Sequence, residues 1–192
     1  MHHEILIGGF GGQGILFLGR VLATAGMIEG YEVSWFPSYG PEMRGGTASC
    51  TVIISEEEIG ATVTDHPDIC IVMNEPSFNR FSPLVKEGGL LVVNSSLIRE
   101  NCSRQDIDIL EVPANELAGK EVGVAETTNM VILGALIARK PVVSFSAAEK
   151  ALEKILTGKK ANFLLVNFKA LEVGKSFEKK GGVVSVSKRS DE

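Results

Sequence analysis

The run Gly8-Gly9-Phe10-Gly11-Gly12-Gln13-Gly14 constrains this chain more than any other stretch. It follows Glu4-Ile5-Leu6-Ile7, a short apolar segment of the kind that forms a buried parallel strand. It precedes residues 15–29, where Ile15, Leu18, Leu22 and Ala25 recur at helical spacing. Strand, glycine turn and helix in that order open a crossover unit, and Gly9 to Gly14 fits the G-x-G-x-x-G spacing of a phosphate-binding turn. Residues without Cβ allow a tight turn and let main-chain amides approach a ligand, and a helix beginning near Gln13 adds about half a positive charge at its N-terminus. Gly9, Phe10, Gly11, Gly12, Gln13 and Gly14 are therefore candidate phosphate contacts. The competing reading is that the glycines only let strand and helix pack closely.

Further strands are predicted at 31–36, 48–55, 69–73, 90–94 and 106–112, and helices at 76–85, 127–139, 147–156 and 163–177. The pattern predicts an α/β, Rossmann-like three-layer domain with a mostly parallel sheet. Strands 31–36 and 48–55 are joined by too little helix for a crossover, so a mixed sheet with a hairpin-like insertion is expected there. No repeat or composition break marks a second domain; one domain over 1–182 and a C-terminal tail at 183–192 are expected. With 44% hydrophobic residues in a chain of 192, disorder and coiled coil are set aside. A net charge of −5 argues against a surface for duplex nucleic acid. No uninterrupted apolar run reaches the roughly 18 residues of a membrane helix, and no charged leader is seen, so a cytoplasmic protein without membrane contact is expected. Cys50, Cys70 and Cys102 show no metal-ligand spacing and read as reduced, mostly buried thiols; no metal is assigned.

A dinucleotide site would need an acidic residue at the end of the second strand, where this chain has Ser34, Trp35 and Phe36; Glu32 lies at the wrong end, which disfavours NAD. The loop from Pro37 to Thr47 holds Tyr39, Glu42, Met43, Arg44, Gly45 and Gly46. Two prolines and three glycines give it a fixed shape, and the Arg44 guanidinium suits a phosphate or carboxylate. Tyr39, Glu42, Met43, Arg44, Gly45 and Gly46 are candidate interface residues, and Arg44 is also a candidate ligand contact. Asp65-His66-Pro67-Asp68 reads as a solvated turn. Asn129 reads as part of a helix cap that faces the glycine loop and is kept as a candidate contact. The chain shows no thiamine diphosphate motif, no nucleophile elbow and no Cys–His arrangement, so no catalytic residue is assigned.

Together, Gly8-Gly-Phe-Gly-Gly-Gln-Gly14, Ser38-Tyr-Gly-Pro-Glu-Met-Arg-Gly-Gly-Thr-Ala48 with Cys50-Thr-Val-Ile-Ile-Ser55, Pro83-Leu-Val-Lys-Glu-Gly-Gly89, Val93-Asn-Ser-Ser96 and Asn129-Met-Val-Ile-Leu-Gly-Ala135 resemble the gamma subunits of 2-oxoacid:ferredoxin oxidoreductases. The resemblance implies a subunit, inactive alone, of a hetero-oligomer that oxidatively decarboxylates a 2-oxoacid, with 2-oxoglutarate favoured, and passes the acyl group to coenzyme A. It implies thiamine diphosphate, magnesium and iron–sulfur clusters in partner subunits, ferredoxin as acceptor, and coenzyme A phosphates on the glycine loop. The alternatives are a stand-alone nucleotide-binding oxidoreductase, an indolepyruvate oxidoreductase subunit and an assembly subunit that binds no ligand.

Overall fold

A computed structural model describes residues 1–38 and 48–181. The expected interface loop from Tyr39 to Thr47, with Arg44, and the expected tail at 183–192 lie outside the described residues.

Six strands form one sheet in the order β2-β3-β1-β4-β5-β6. They are β1 (His2–Gly9), β2 (Glu32–Ser38), β3 (Ala48–Ser55), β4 (Ile69–Val72), β5 (Leu90–Asn94) and β6 (Asp108–Val112). Strands β1, β4, β5 and β6 are mutually parallel, while β3 is antiparallel to both β1 and β2. The mixed sheet expected from the short 31–55 connection is therefore present, with β2 and β3 as its antiparallel end. Pro37 opposite Cys50 is tolerated because β2 is an edge strand.

Side-chain alternation along the strands makes the three layers. Ile5, Ile7, Ile69, Ile71, Leu90 and Val92 face one apolar cluster, while Leu6, Cys70, Val72, Leu91 and Val93 face another. The first cluster is covered by α1 (Ile15–Ile28), α4 (Thr128–Arg139), α5 (Phe145–Ile155) and α6 (Leu164–Lys179), and the second by α2 (Glu75–Phe81) through Phe78 and Phe81. Every α4 residue from Thr128 to Ile137 is buried, as for a helix held between a sheet and another helix. Helix α2 starts at an Asn74–Ser77 capping box and gives way to a 3-10 turn at Ser82–Leu84, dividing the helix predicted at 76–85.

Residues 113–127 hold structure that periodicity did not indicate: the one-turn helix α3 (Ala114–Leu117), a π turn at Ala118–Val122 closed by Gly123, and a 3-10 turn at Ala125–Thr127. These pieces are too short for a repeating apolar face. Among the described residues no helix is long and apolar enough to cross a membrane.

Candidate functional site

Strand register gathers the candidate site at one edge of the sheet. Gly8 lies opposite Val72, Val72 opposite Val93, and Asn94 opposite Val112, so the chain leaves β1, β4, β5 and β6 on the same, carboxyl side. Gly9 lies opposite Ala48 and Ser38 opposite Ser49, which puts both residues flanking 39–47 at this edge too. An open α/β sheet binds ligands at such an edge.

Helix α1 starts at Ile15, as its apolar spacing predicts, with Gly14 as its N-cap at φ 72° and no side chain capping it. A cap without a side chain leaves the first-turn amides to other acceptors. The glycines of the run divide into two kinds. A Cβ on Gly8 would meet the Phe81 ring at 2.5 Å, one on Gly9 would meet Gln13 Oε1 at 2.7 Å, and one on Gly14 would meet Asn129 Nδ2 at 2.3 Å. For these three the close-packing reading holds. A Cβ on Gly11 or Gly12 would meet nothing within 4 Å, and Gly12 has φ +94°. These two residues are exposed, and their amides have no acceptor among the described residues.

Two candidate contacts spend their main-chain groups inside the protein. Phe10 N donates to Gln13 Oε1 at 2.6 Å, and Gln13 N donates to Phe10 O at 3.2 Å. Of the amides from Gly11 to Gly14, those of Gly11, Gly12 and Gly14 have no acceptor among the described residues. Asn129 does face the loop, but as a support: buried in the first turn of α4, it donates from Nδ2 to Gly14 O at 3.1 Å and accepts from Met130 N at 2.9 Å. The cap expected of Asn129 is not formed, since Thr127 holds the N-cap position and no side chain caps it.

Gln13 begins a chain of carboxamides along the edge. Gln13 Oε1 also accepts from Asn74 Nδ2 at 3.3 Å, and Gln13 Nε2 donates to Met73 O at 3.1 Å. Asn94 Nδ2 reaches the same Met73 carbonyl at 3.5 Å and donates to Asn115 Oδ1 at 2.8 Å. The glycine loop is thereby tied across β4 and β5 to α3. Asn94 is fully buried, and its Oδ1 has no partner. Between the loop and α3 opens a cleft of about 230 Å³ lined by Gly12, Gln13, Met73, Asn115, Ala125, Glu126 and Thr128. Asn74, Asn94, Asn115 and Glu126 are not among the residues that the sequence singles out. A signal existed for the first two, since each stands where a predicted parallel strand ends; Asn115 and Glu126 sit in the aperiodic segment.

Cys50 and Cys70 are buried, and Cys50 Sγ donates to Ile15 O at 3.6 Å. Burial pushes Cys50 up to about 12, despite a hydrogen bond with Trp35, and raises Cys70 above its ordinary value, so both stay protonated. Asp65 and His66 are exposed in bends, whereas Asp68 is buried at the opposite edge of the sheet.

The family described as pyruvate ferredoxin/flavodoxin oxidoreductase matches residues 4–177. The chain belongs to this family. Within it the likeness is to gamma subunits and to the corresponding part of larger chains. The oxidoreductase-family chain is 37% identical over 159 residues to the 2-oxoglutarate synthase subunit KorC of Methanothermobacter marburgensis, covering 80% of this chain and 86% of that protein. It is 36% identical over 178 residues to the ketoisovalerate oxidoreductase subunit VorA of the same organism, covering 92% of this chain but 37% of that protein. The chain thus spans little more than a third of the VorA subunit. Its fold matches the gamma subunit of the keto/oxoacid ferredoxin oxidoreductase of Geobacter sulfurreducens with a TM-score of 0.79 at 32% identity, covering 92% of this chain and 97% of that one. It also matches the 2-oxoglutarate:ferredoxin oxidoreductase of Magnetococcus marinus, solved with 2-oxoglutarate, coenzyme A and succinyl-CoA bound, with a TM-score of 0.83 at 25% identity, covering 93% of this chain and 31% of that one.

Proposed function

We propose that this chain is the coenzyme A-holding gamma subunit of a cytoplasmic 2-oxoacid:ferredoxin oxidoreductase, with 2-oxoglutarate as the favoured substrate. In this reading the amides of Gly11, Gly12 and Gly14 hold the phosphates of coenzyme A at the N-terminus of α1, and its thiol is delivered to an acyl group carried in a neighbouring chain. Thiamine diphosphate, magnesium and iron–sulfur clusters belong to the partner subunits, and electrons leave to ferredoxin. Positioning is the contribution of this chain: holding the thiol in place replaces a diffusional encounter by an intramolecular one. The segment from Tyr39 to Thr47, with Glu42, Met43, Arg44, Gly45 and Gly46, meets those partners, and Arg44 adds an anionic contact.

The observation that carries the reading is the pair of exposed glycine amides with no acceptor among the described residues, beside a cleft at the carboxyl edge. Amides left bare at a helix start bind anions, and a side chain at Gly11 would shield them without disturbing the packing, whereas one at Gly12 must also adopt φ near +94°. The 2-oxoglutarate preference is supported by the likeness to KorC, and coenzyme A by the ligands of the M. marinus enzyme.

The test is the complex assembled with its partner subunits, assayed for ferredoxin reduction on 2-oxoglutarate, pyruvate and 2-oxoisovalerate. Gly11→Val and Gly12→Val are each expected to raise KM for coenzyme A about tenfold, as expected for losing one hydrogen bond to a charged oxygen. KM for the 2-oxoacid is expected to hold. An unchanged KM for coenzyme A in both variants removes the proposal in favour of an assembly subunit that binds no ligand.

A further inference from the structure

The cleft beside the glycine loop has a different chemistry from the loop itself. None of its described lining residues is a cation, and one, Glu126, is a carboxylate. Its other polar groups are mostly spent. Gln13 Oε1 accepts from Phe10 N and Asn74 Nδ2 while its Nε2 gives one hydrogen to Met73 O, and Thr128 Oγ1 donates to Ala125 O at 2.8 Å. Asn115 differs. Its Oδ1 is held by Asn94 Nδ2 at 2.8 Å, which turns its own NH₂ group away from Asn94, and that NH₂ has no acceptor among the described residues. Asn94 can impose this orientation because it is fully buried and its Nδ2 also reaches the Met73 carbonyl. Glu126 is exposed and has no hydrogen-bond partner among the described residues. The cleft therefore offers one oriented donor and one strong acceptor, without the positive charge that a second phosphate would need.

We infer that this cleft receives the uncharged, amide-bearing arm of the acyl carrier, with Asn115 donating to an amide carbonyl and Glu126 accepting from an amide N–H or hydroxyl. The inference rests on the coenzyme A reading above and deepens it. The phosphates stay on the Gly11 and Gly12 amides, and the arm running from them toward the thiol crosses the cleft between Gly12 and Glu126. An arm of secondary amides and a hydroxyl supplies both complements, whereas a phosphate in the cleft would face the Glu126 carboxylate. Asn94 acts as a positioning residue, through Asn115.

The experiment uses the assembled complex and turns on a sign. If the arm lies in the cleft, Glu126→Gln removes a charged acceptor and raises KM for coenzyme A by about five- to tenfold. If a phosphate lies there, the same change relieves repulsion and lowers KM. A fall or no change overturns the inference. Asn115→Asp, which keeps the side-chain shape and replaces the donor by an acceptor, is expected to raise KM at least as much, and an unchanged KM in that variant also overturns it. Competitive inhibition by adenosine 3′,5′-bisphosphate, which has phosphates but no arm, is expected to be the same in both variants as in the parent; an equal weakening assigns the contacts to the nucleotide and overturns the arm. These outcomes separate from failure of the coenzyme A reading itself, which would appear as indifference of KM to both Gly11→Val and Gly12→Val. Because Glu126 is exposed, its variant reports on binding without a change in packing.

Discussion

At the amino edge of the parallel strands, polar side chains are spent on one another in charged pairs, whereas at the carboxyl edge the links are neutral carboxamides and some amides stay uncommitted. Buried Asp68 accepts from Glu4 N at 2.8 Å and pairs with Lys86, and Glu4 accepts in turn from Thr64 Oγ1 at 2.7 Å. Arg139 joins Asp108 at 3.0 Å to Glu178, tying β6 to α4 and α6. Across the sheet, Gln13, Asn74, Asn94 and Asn115 make a chain of neutral hydrogen bonds that ends beside the bare amides of Gly11 and Gly12. Ion pairs lock element ends and leave little for a ligand. A carboxamide scaffold fixes a loop without adding charge of its own to that of the α1 N-terminus and of Glu126.

The comparison breaks most severely at Gly14. Gly14→Ala must adopt φ near 72° and place Cβ 2.3 Å from Asn129 Nδ2. The left-handed conformation costs about 1–2 kcal/mol, and displacing the Asn129 amide from Gly14 O about another 1 kcal/mol. A total of about 2–3 kcal/mol lowers Tm by roughly 4–12 °C in a chain of this size. Gly11→Ala, with open space and no positive φ, is expected to leave Tm unchanged in the same calorimetric experiment. Equal losses in the two variants would mean that the loop is not divided between packed and open glycines.

The amino edge is expected to fail more gently and with a pH signature. Burial alone would raise the Asp68 carboxyl, but the Lys86 ammonium and the Glu4 amide outweigh it and hold it below the ordinary carboxylate value. Its stabilisation is therefore present above the unfolded carboxyl range near pH 4 and is lost as pH falls through the lower folded value. Lys86→Ala leaves a buried carboxylate without its cation. Because the Lys86 side chain is half exposed, the cost at pH 7 is about 1–2 kcal/mol, less than for a fully buried pair. Urea midpoints measured from pH 7 to pH 2 should converge with those of the parent once Asp68 is protonated in both. A difference that persists at pH 2 would trace to the lysine stem and not to the charge.

How far this contrast was legible follows from the physics of each edge. The glycine run announced the carboxyl edge because residues without Cβ between a strand and a helix mark a tight turn there, and strand periodicity located the ends of β1, β4 and β5 to within two residues. Which glycines were packed and which open was not legible, since it depends on Phe81, Gln13 and Asn129, two of them more than 60 residues away in the chain. Asn115 and Glu126 escaped notice because α3 and the turns after it are too short to carry a period. The polar run 65–68 predicts a solvated turn; Asp65 and His66 fit that, but Asp68 is buried and accepts from Glu4 N.

The smallest expected effect comes from His3, beside Asp68 at the amino edge. Burial lowers its pKa foremost, followed by the Lys140 charge, with the N-terminus and His2 adding to the fall while Asp68 opposes it; its Nδ1 is buried without a partner. A histidine held neutral in the folded chain contributes stability that is complete above the unfolded value near 6.5 and is lost as pH falls from there to the folded value. This window lies above that of Asp68, so the two groups separate in one titration. His3→Gln should flatten the decline in urea midpoint between pH 7 and pH 5, by less than Lys86→Ala changes at pH 7, and leave the steeper loss below pH 4 intact. If the variant instead removes the loss below pH 4, the two groups titrate as one cluster, and the amino edge is held by a coupled proton network and not by separate pairs.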